Sequence, residues 1–259
     1  MIPVRGDARS DEALSLDFYM RLASAAAGAA LAHQQALMLL PPKLTKADLR
    51  GLALDGGIVV DPGVCDPRVT LFEQVGLSVV TIERDLGREG GSFVACRTDE
   101  ITRAILDHLA DRGAQRIALL RPRAEWAWTS ETLAANEAWT SEHRGPRIVA
   151  RASMVQGERT AYEATLRLLA RRSPPDAIFV VVARFIRGVL RAAHEAGRHV
   201  SGSLMVAAGV DGVHARDGDP PVTAWDLHPE RQGPRGRIDP ALPVQSVRHG
   251  CHRDRWDRQ

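Results

Sequence analysis

Short, uniformly apolar runs alternate with longer amphipathic segments along most of the 259-residue chain, and this alternation constrains the fold more than any other feature. The short runs lack polar alternation, which is typical of strands covered on both faces of a sheet. The longer segments space their apolar residues as a helix does, for example at Ile101, Ile105 and Leu109. The alternation therefore predicts an α/β fold with parallel sheets and crossover helices. Strands are predicted at Gly57–Val60, Ser78–Ile82, Arg116–Leu120, Ile148–Ala152, Ala177–Val182 and Leu204–Ala208.

The strand-and-helix pattern is interrupted around Arg121–Trp128 and then begins again, which predicts two lobes. We assign residues 1–120 to a first lobe and residues 121–229 to a second. Residues 230–259 are rich in arginine and poor in apolar residues, so we predict an irregular tail there. Helices are predicted at Asp11–His33, Lys46–Leu54, Pro67–Val75, Thr98–Gly113, Ser130–His143, Glu158–Arg171 and Arg184–Gly197.

The composition excludes several classes of protein. The 34 Lys and Arg nearly balance the 32 Asp and Glu, so the net charge does not indicate nucleic-acid binding. A local basic patch is the alternative that the net charge does not exclude. Cys65, Cys96 and Cys251 are scattered and form neither a disulfide framework nor a metal-binding spacing. The apolar runs fall short of the ~20 residues that span a bilayer, and the N-terminus lacks the plan of a signal peptide. We therefore expect a cytoplasmic protein with no membrane contact, no metal and no cofactor.

Signatures of enzymes are also missing from the sequence. Glu83, His108 and His143 offer acids and bases, but no nucleophile stands at a recognisable spacing from them. The glycine-rich stretch 87–92 precedes a strand-like run rather than a helix, which argues against a phosphate-binding loop. We therefore predict no enzymatic activity and no catalytic residue.

Five strings resemble, in order and spacing, the ligand-binding core of the LacI/GalR family of bacterial transcription regulators. One of them ends a strand with an acid and an arginine, Glu83 and Arg84. The resemblance extends over roughly residues 1–229. The strings are Val79–Arg84, His108–Leu120, Pro175–Phe179, Gly188–Gly197 and Pro220–Thr223.

This resemblance implies a periplasmic-binding-protein-like core of type I, in which two Rossmann-like lobes with parallel sheets are joined by a hinge. It also implies a homodimer and a small-molecule effector, such as a sugar, a nucleoside or an organic acid, bound between the lobes at the carboxyl ends of the strands. In such regulators DNA is bound by a helix-turn-helix headpiece, which this chain lacks, so we expect DNA contact only through that absent part. The tail at 230–259 departs from the family pattern of a further helix and strand, and we hypothesise a frame shift near residue 230.

The resemblance assigns a later aspartate of the ligand site to Asp211, with an aspartate that caps the next turn as the alternative reading. Arg184 and Arg187 follow a predicted strand and suit a carboxylate or phosphate, unless they lie on solvated helix faces. Trp126 and Trp128 lie at the expected lobe junction, where they would stack on a flat ligand or pack in the hinge. Because most polar positions of the family's sugar site differ here, the sequence favours an apolar or anionic ligand.

Three further residues complete the predicted ligand site. Arg97 falls near the family's first-lobe acid, and Arg5 and Asp7 lie in the first loop, which would face the cleft. Two other functions remain open at this point. A free-standing solute-binding protein would need an export signal, and a non-functional remnant would explain why both ends and the cleft depart from the family together.

Overall fold

The structure is a computed structural model that describes residues 12–41, 43–227 and 247–248, with side chains described for 18–41 and 43–227. The helices are α1 Glu12–Ala32, α2 Lys46–Gly51, α3 Pro67–Gln74, α4 Thr98–Asp111, α5 Ala127–Glu142, α6 Gly157–Leu169, α7 Ile186–Glu195 and α8 Val213–Arg216, and a 3-10 turn lies at Ala183–Phe185. The strands are β1 Gly56–Val60, β2 Ser78–Ile82, β3 Ser92–Ala95, β4 Ile117–Pro122, β5 Ile148–Ala152, β6 Ala177–Val180, β7 Met205–Ala208, β8 Thr223–Ala224 and β9 Val247–Arg248. No helix of these residues is both long enough and apolar enough to cross a membrane.

The first sheet has the order β1-β2-β3-β9, and all its pairs are parallel. Successive residues of a strand face opposite sides of the sheet, so Val59 and Val60 enter different cores. Val59 packs with Phe72 of α3 and Leu49 of α2, whereas Val60 packs with Leu22 of α1. Helices therefore cover both faces of this sheet, and together they form the first lobe.

The second sheet has the order β5-β4-β6-β7-β8 and is also parallel throughout. Every residue of β4, which lies between β5 and β6, is buried. Helices α6 and α7 pack closely because Gly188 has no side chain: a Cβ there would lie 2.2 Å from the carbonyl oxygen of Glu158. The predicted α/β fold with two parallel sheets is thus confirmed.

The division between the lobes lies upstream of the predicted boundary at residue 120. Strand β4 bonds to β5 and β6 of the second sheet, and α4 buries Ile101, Ile105 and Leu109 in the core of that sheet. The chain therefore crosses to the second lobe between β3 and α4. An isolated apolar run has the same sequence pattern in either sheet, so the pattern alone did not assign β4.

Four short elements differ from the predicted pattern. Helix α8 and strand β8 were not predicted, and the predicted strand Ala177–Val182 ends at Val180, before the 3-10 turn. Within the predicted irregular tail, Val247–Arg248 forms β9 and pairs with the open edge of β3. The rest of residues 230–259 lies outside the described residues.

Candidate ligand-binding site

Strands β1 and β2 are each followed by an acidic residue in the left-handed backbone region. Asp61 has a φ of 46° and Glu83 a φ of 72°. The amide of Asp61 donates to the carbonyl of Ile82 at 3.0 Å, and that of Glu83 donates to the carbonyl of Val94 at 2.7 Å. These bonds hold the two acids side by side at the carboxyl edge of the first sheet. A left-handed backbone at a residue other than glycine costs about 1–3 kcal/mol, so the surrounding bonds must hold these two acids in place.

Glu83 is buried, with 7% of its surface exposed. Its Oε1 accepts a hydrogen bond from the amide of Cys96 at 3.0 Å, while Oε2 is buried without any hydrogen-bond partner. Burial, together with the negative charges of Asp61 and Glu131, raises the pKa of Glu83 to about 8, against the opposing effect of the hydrogen bonds from Cys96. Glu83 is therefore largely protonated at neutral pH in the unliganded protein.

Asp61 is approached from both lobes. The hydroxyl of Tyr19, on α1, donates to its Oδ2 at 2.6 Å. The indole of Trp128, at the start of α5, lies close enough to this carboxylate to lower its pKa. Burial nevertheless raises the pKa of Asp61, because it outweighs Tyr19, Trp128 and the charge of Arg68. Trp128 therefore places the start of α5, in the second lobe, beside the carboxyl edge of the first sheet.

A second contact between the lobes lies beside the first. Arg84, next to Glu83, donates to Glu131 of α5 and forms an ion pair with it. The rings of Trp126 and Trp128 stack with their centroids 5.4 Å apart and their planes at 15°. The amide of Trp126 donates to the hydroxyl of Thr129 at 2.9 Å, which fixes the start of the helix. We call the following residues the acidic–aromatic cluster: Tyr19, Asp61, Glu83, Trp126, Trp128 and Glu131.

The two arginines predicted after β6 have different surroundings. Arg184 lies in the 3-10 turn, and its buried Nε has no hydrogen-bond partner. It packs on Gly157, where an added Cβ would lie 2.8 Å from that nitrogen. Arg187 is exposed, and its Nε lies 3.8 Å from Glu158 Oε2 across α6 and α7. Arg184 thus lies at the carboxyl edge of the second sheet, whereas Arg187 lies on a solvated helix face.

Asp211 follows β7 at the same edge of the second sheet. Its carboxylate accepts from Arg216 Nε at 3.0 and 3.1 Å, and its amide donates to the carbonyl of Trp225 at 2.7 Å. Arg97 is exposed and pairs with Glu100 in the first turn of α4. Local ion pairs therefore occupy both of these predicted ligand contacts. The other two predicted residues, Arg5 and Asp7, lie outside the described residues.

The cluster is acidic and aromatic, whereas the sequence favoured an apolar or anionic ligand. Asp61 was not among the predicted site residues, because Asp-Pro-Gly after a strand was interpreted only as a turn. Glu83 was named as part of a string that resembles the family, but it was not assigned to the site. The available signal was the position of both acids directly after adjacent parallel strands. Among the described residues, no group of His, Cys, Asp and Glu is arranged to hold a metal ion.

Comparison with solved structures identifies the fold. The structure is similar to a complex of the transcriptional regulator CelR with cellobiose, at 21% identity over 83% of this chain and 69% of that chain, with a TM-score of 0.75. It is also similar to a LacI family regulator from Bifidobacterium animalis subsp. lactis, at 20% identity over 83% and 82% of the two chains and a TM-score of 0.72. For a putative LacI regulator from Bacillus cereus subsp. cytotoxis, the identity is 15%, the coverage 96% and 92%, and the TM-score 0.79.

These likenesses confirm, at the level of fold, the predicted resemblance to LacI-type ligand-binding cores. A family model gives the same result from the sequence: the model described as a periplasmic binding protein-like domain matches residues 106–235, which is half of the chain. The chain therefore belongs to the family of periplasmic binding protein-like domains.

Proposed function

We propose that this chain is the effector-sensing core of a LacI-type transcriptional regulator, and that its effector binds at the acidic–aromatic cluster. The family membership and the similarity of the fold to several transcriptional regulators support this proposal. One of those regulators is bound to cellobiose, which is an example of a small molecule held by this fold. As part of the proposal, the protein is a cytoplasmic homodimer without enzymatic activity, and it acts on DNA through a headpiece outside this chain.

The observation that carries the proposal is that the carboxyl edges of the two sheets meet at the cluster. Ligands of open parallel sheets bind at such edges. Here the Trp128–Asp61 and Arg84–Glu131 contacts join the first lobe to the second. A ligand that competes for these groups interacts differently with each arrangement of the lobes. Such differential affinity is the physical requirement for passing a signal from the cleft to another domain.

Thermal denaturation of the purified chain with a panel of sugars, nucleosides, organic acids and amines tests the proposal. A ligand at a hundredfold its Kd stabilises the folded state by about 2.7 kcal/mol, which corresponds to a rise in Tm of roughly 5–10 °C for a chain of this size. We expect at least one class to produce this rise. The rise should be lost in Asp61→Asn and kept in Glu142→Gln, which removes a carboxylate at an exposed ion pair with Arg103.

If no compound raises the Tm, the sensing function is wrong and the chain is better regarded as a folded remnant. If a compound raises the Tm equally in the native chain and in Asp61→Asn, the ligand binds elsewhere.

A further inference from the structure

The buried oxygen Glu83 Oε2 is the feature of the cluster that its own contacts do not explain. It is shielded from water and has no hydrogen-bond donor. The groups that act on it electrostatically include two further carboxylates, those of Asp61 and Glu131. A buried acceptor without a donor is rare in folded proteins, and here it coincides with a left-handed backbone. An acceptor in these surroundings is ready to receive a donor from a ligand.

Arg68 and Arg84, the cations on the first-lobe side of the cluster, are already engaged. Arg68 binds both carboxylate oxygens of Asp66, at 2.9 and 2.7 Å, and reaches only the main-chain carbonyl of Asp61, at 3.1 Å. Arg84 pairs with Glu131. Among the described residues, no arginine, lysine or histidine makes an ion pair with Asp61 or Glu83. The charge of Arg68 acts on Asp61 without a direct contact to its carboxylate, so neither acid is held in an ion pair by a described residue.

We propose that the effector of this cleft is a small organic cation, whose ammonium group binds between Asp61 and Glu83 and lies against the indole rings of Trp126 and Trp128. This inference rests on the proposed function, because it names the chemical class of the molecule bound there. Once Glu83 has released its proton, an ammonium supplies both the hydrogen-bond donor and the positive charge that the two carboxylates then lack. Indole faces attract cations, and the proposal places the ammonium against an outer face of the stacked pair. A neutral sugar would supply donors but leave the charge uncompensated, and an organic acid would be repelled.

Binding of a cation favours the ionised form of Glu83, so it releases a proton. The affinity for an amine therefore rises with pH, by at most tenfold per pH unit, between about pH 6 and 8, where the amine itself stays protonated. The other charged or titratable groups near Glu83 and Asp61 are Tyr19 on α1, Arg68 on α3, Arg84 after β2, Cys96 after β3 and Glu131 on α5.

Paired probes that differ only in the charged group test the proposal. Calorimetric titration of the native chain at pH 8 would compare putrescine with 1,4-butanediol, and tyramine with tyrosol. We expect at least one amine to bind at least tenfold more tightly than its alcohol. Glu83→Gln should weaken amine binding by at least tenfold and flatten its pH dependence, while Glu142→Gln should leave both unchanged. The Gln variant keeps the shape and the Cys96 bond, so it remains folded.

The outcomes separate the two proposals. If cellobiose, nucleosides or organic acids bind and no amine does, the cationic ligand is wrong and the sensing function stands. If amines bind equally well to the native chain and to Glu83→Gln, the assigned position of the ammonium is wrong. If no compound of any class binds, both proposals fail.

Discussion

Replacement of Glu83 by Gln should stabilise the unliganded protein, and increasingly so as the pH rises. Gln keeps the oxygen that accepts from Cys96 and places a neutral amide where the unpartnered Oε2 lies. The ordinary pKa of glutamate is 4.5, and in the folded protein that of Glu83 is about 8. Between these values the folded state binds a proton that the unfolded state has lost, so the stability of the native chain falls as the pH rises.

The size of the effect follows from the same shift in pKa. A single group contributes at most about 1.4 kcal/mol per pH unit, and the loss ends above about pH 8. Asp61 also has a raised pKa and contributes in the same direction. The protein around a buried carboxyl relaxes when the group ionises, so the loss of stability is smaller than the full pKa shift implies. We therefore expect Glu83→Gln to exceed the native chain in stability by about 2–4 kcal/mol at pH 8 and by about 1 kcal/mol or less at pH 5.

Urea denaturation followed by far-UV circular dichroism at pH 5, 6.5 and 8 measures this difference. Glu142→Gln is the matched control, because the pKa of Glu142 is lowered by its exposed partner Arg103, so this change gives no advantage that grows with pH. The reasoning about Glu83 is refuted if the native and Glu83→Gln stabilities run parallel with pH, or if the native chain is the more stable at pH 8.

Two further substitutions test the contact between the lobes and the packing of the second lobe. Trp128→Phe keeps an aromatic ring but removes the indole nitrogen beside Asp61, so it should weaken effector binding about tenfold in calorimetry. Trp139→Phe removes a similar bond to Asp107, 2.7 Å long and outside the cleft, and should leave the affinity unchanged. Gly188→Ala should cost about 1–3 kcal/mol in urea denaturation, because the new Cβ would overlap α6. Gly51→Ala, where no atom lies within 4 Å of the new Cβ, should be neutral or slightly stabilising.

Either of two results would contradict these expectations. Equal affinities in Trp128→Phe and the native chain would show that the indole nitrogen of Trp128 does not support the ligand site. An equal stability of Gly188→Ala and Gly51→Ala would show that α6 and α7 do not approach as closely as the structure has them.

The secondary structure was largely predictable because it depends on local patterns. Ser78–Ile82 and Ile148–Ala152 were predicted with the boundaries they have, since continuous apolar runs bounded by turns define buried strands. The boundary between the lobes was not predictable in this way. It depends on which strands β4 pairs with, and that choice is made by contacts between residues far apart in the sequence.

The charge at the carboxyl edge of the first sheet was the other feature that local patterns did not reveal. The arginines after β6 suggested an anionic ligand, which stays a prediction; of the two, Arg187 is paired with Glu158 on a neighbouring helix. Asp61 and Glu83 are 22 positions apart and become neighbours only because β1 and β2 pair in parallel. Tertiary pairing decides which charges are neutralised, so the count of charged residues near a strand end does not determine the charge of the cleft.

Hydrogen–deuterium exchange with mass spectrometry tests the central claim, a ligand site between the lobes at the acidic–aromatic cluster, most directly. The amides would be compared with and without the compound that raises the Tm most. The account predicts slower exchange in the segments 60–62, 82–85 and 126–131, which belong to both lobes, and unchanged exchange at the exposed ends of α6 and α7. Protection confined to one lobe, or located away from these three segments, would contradict it.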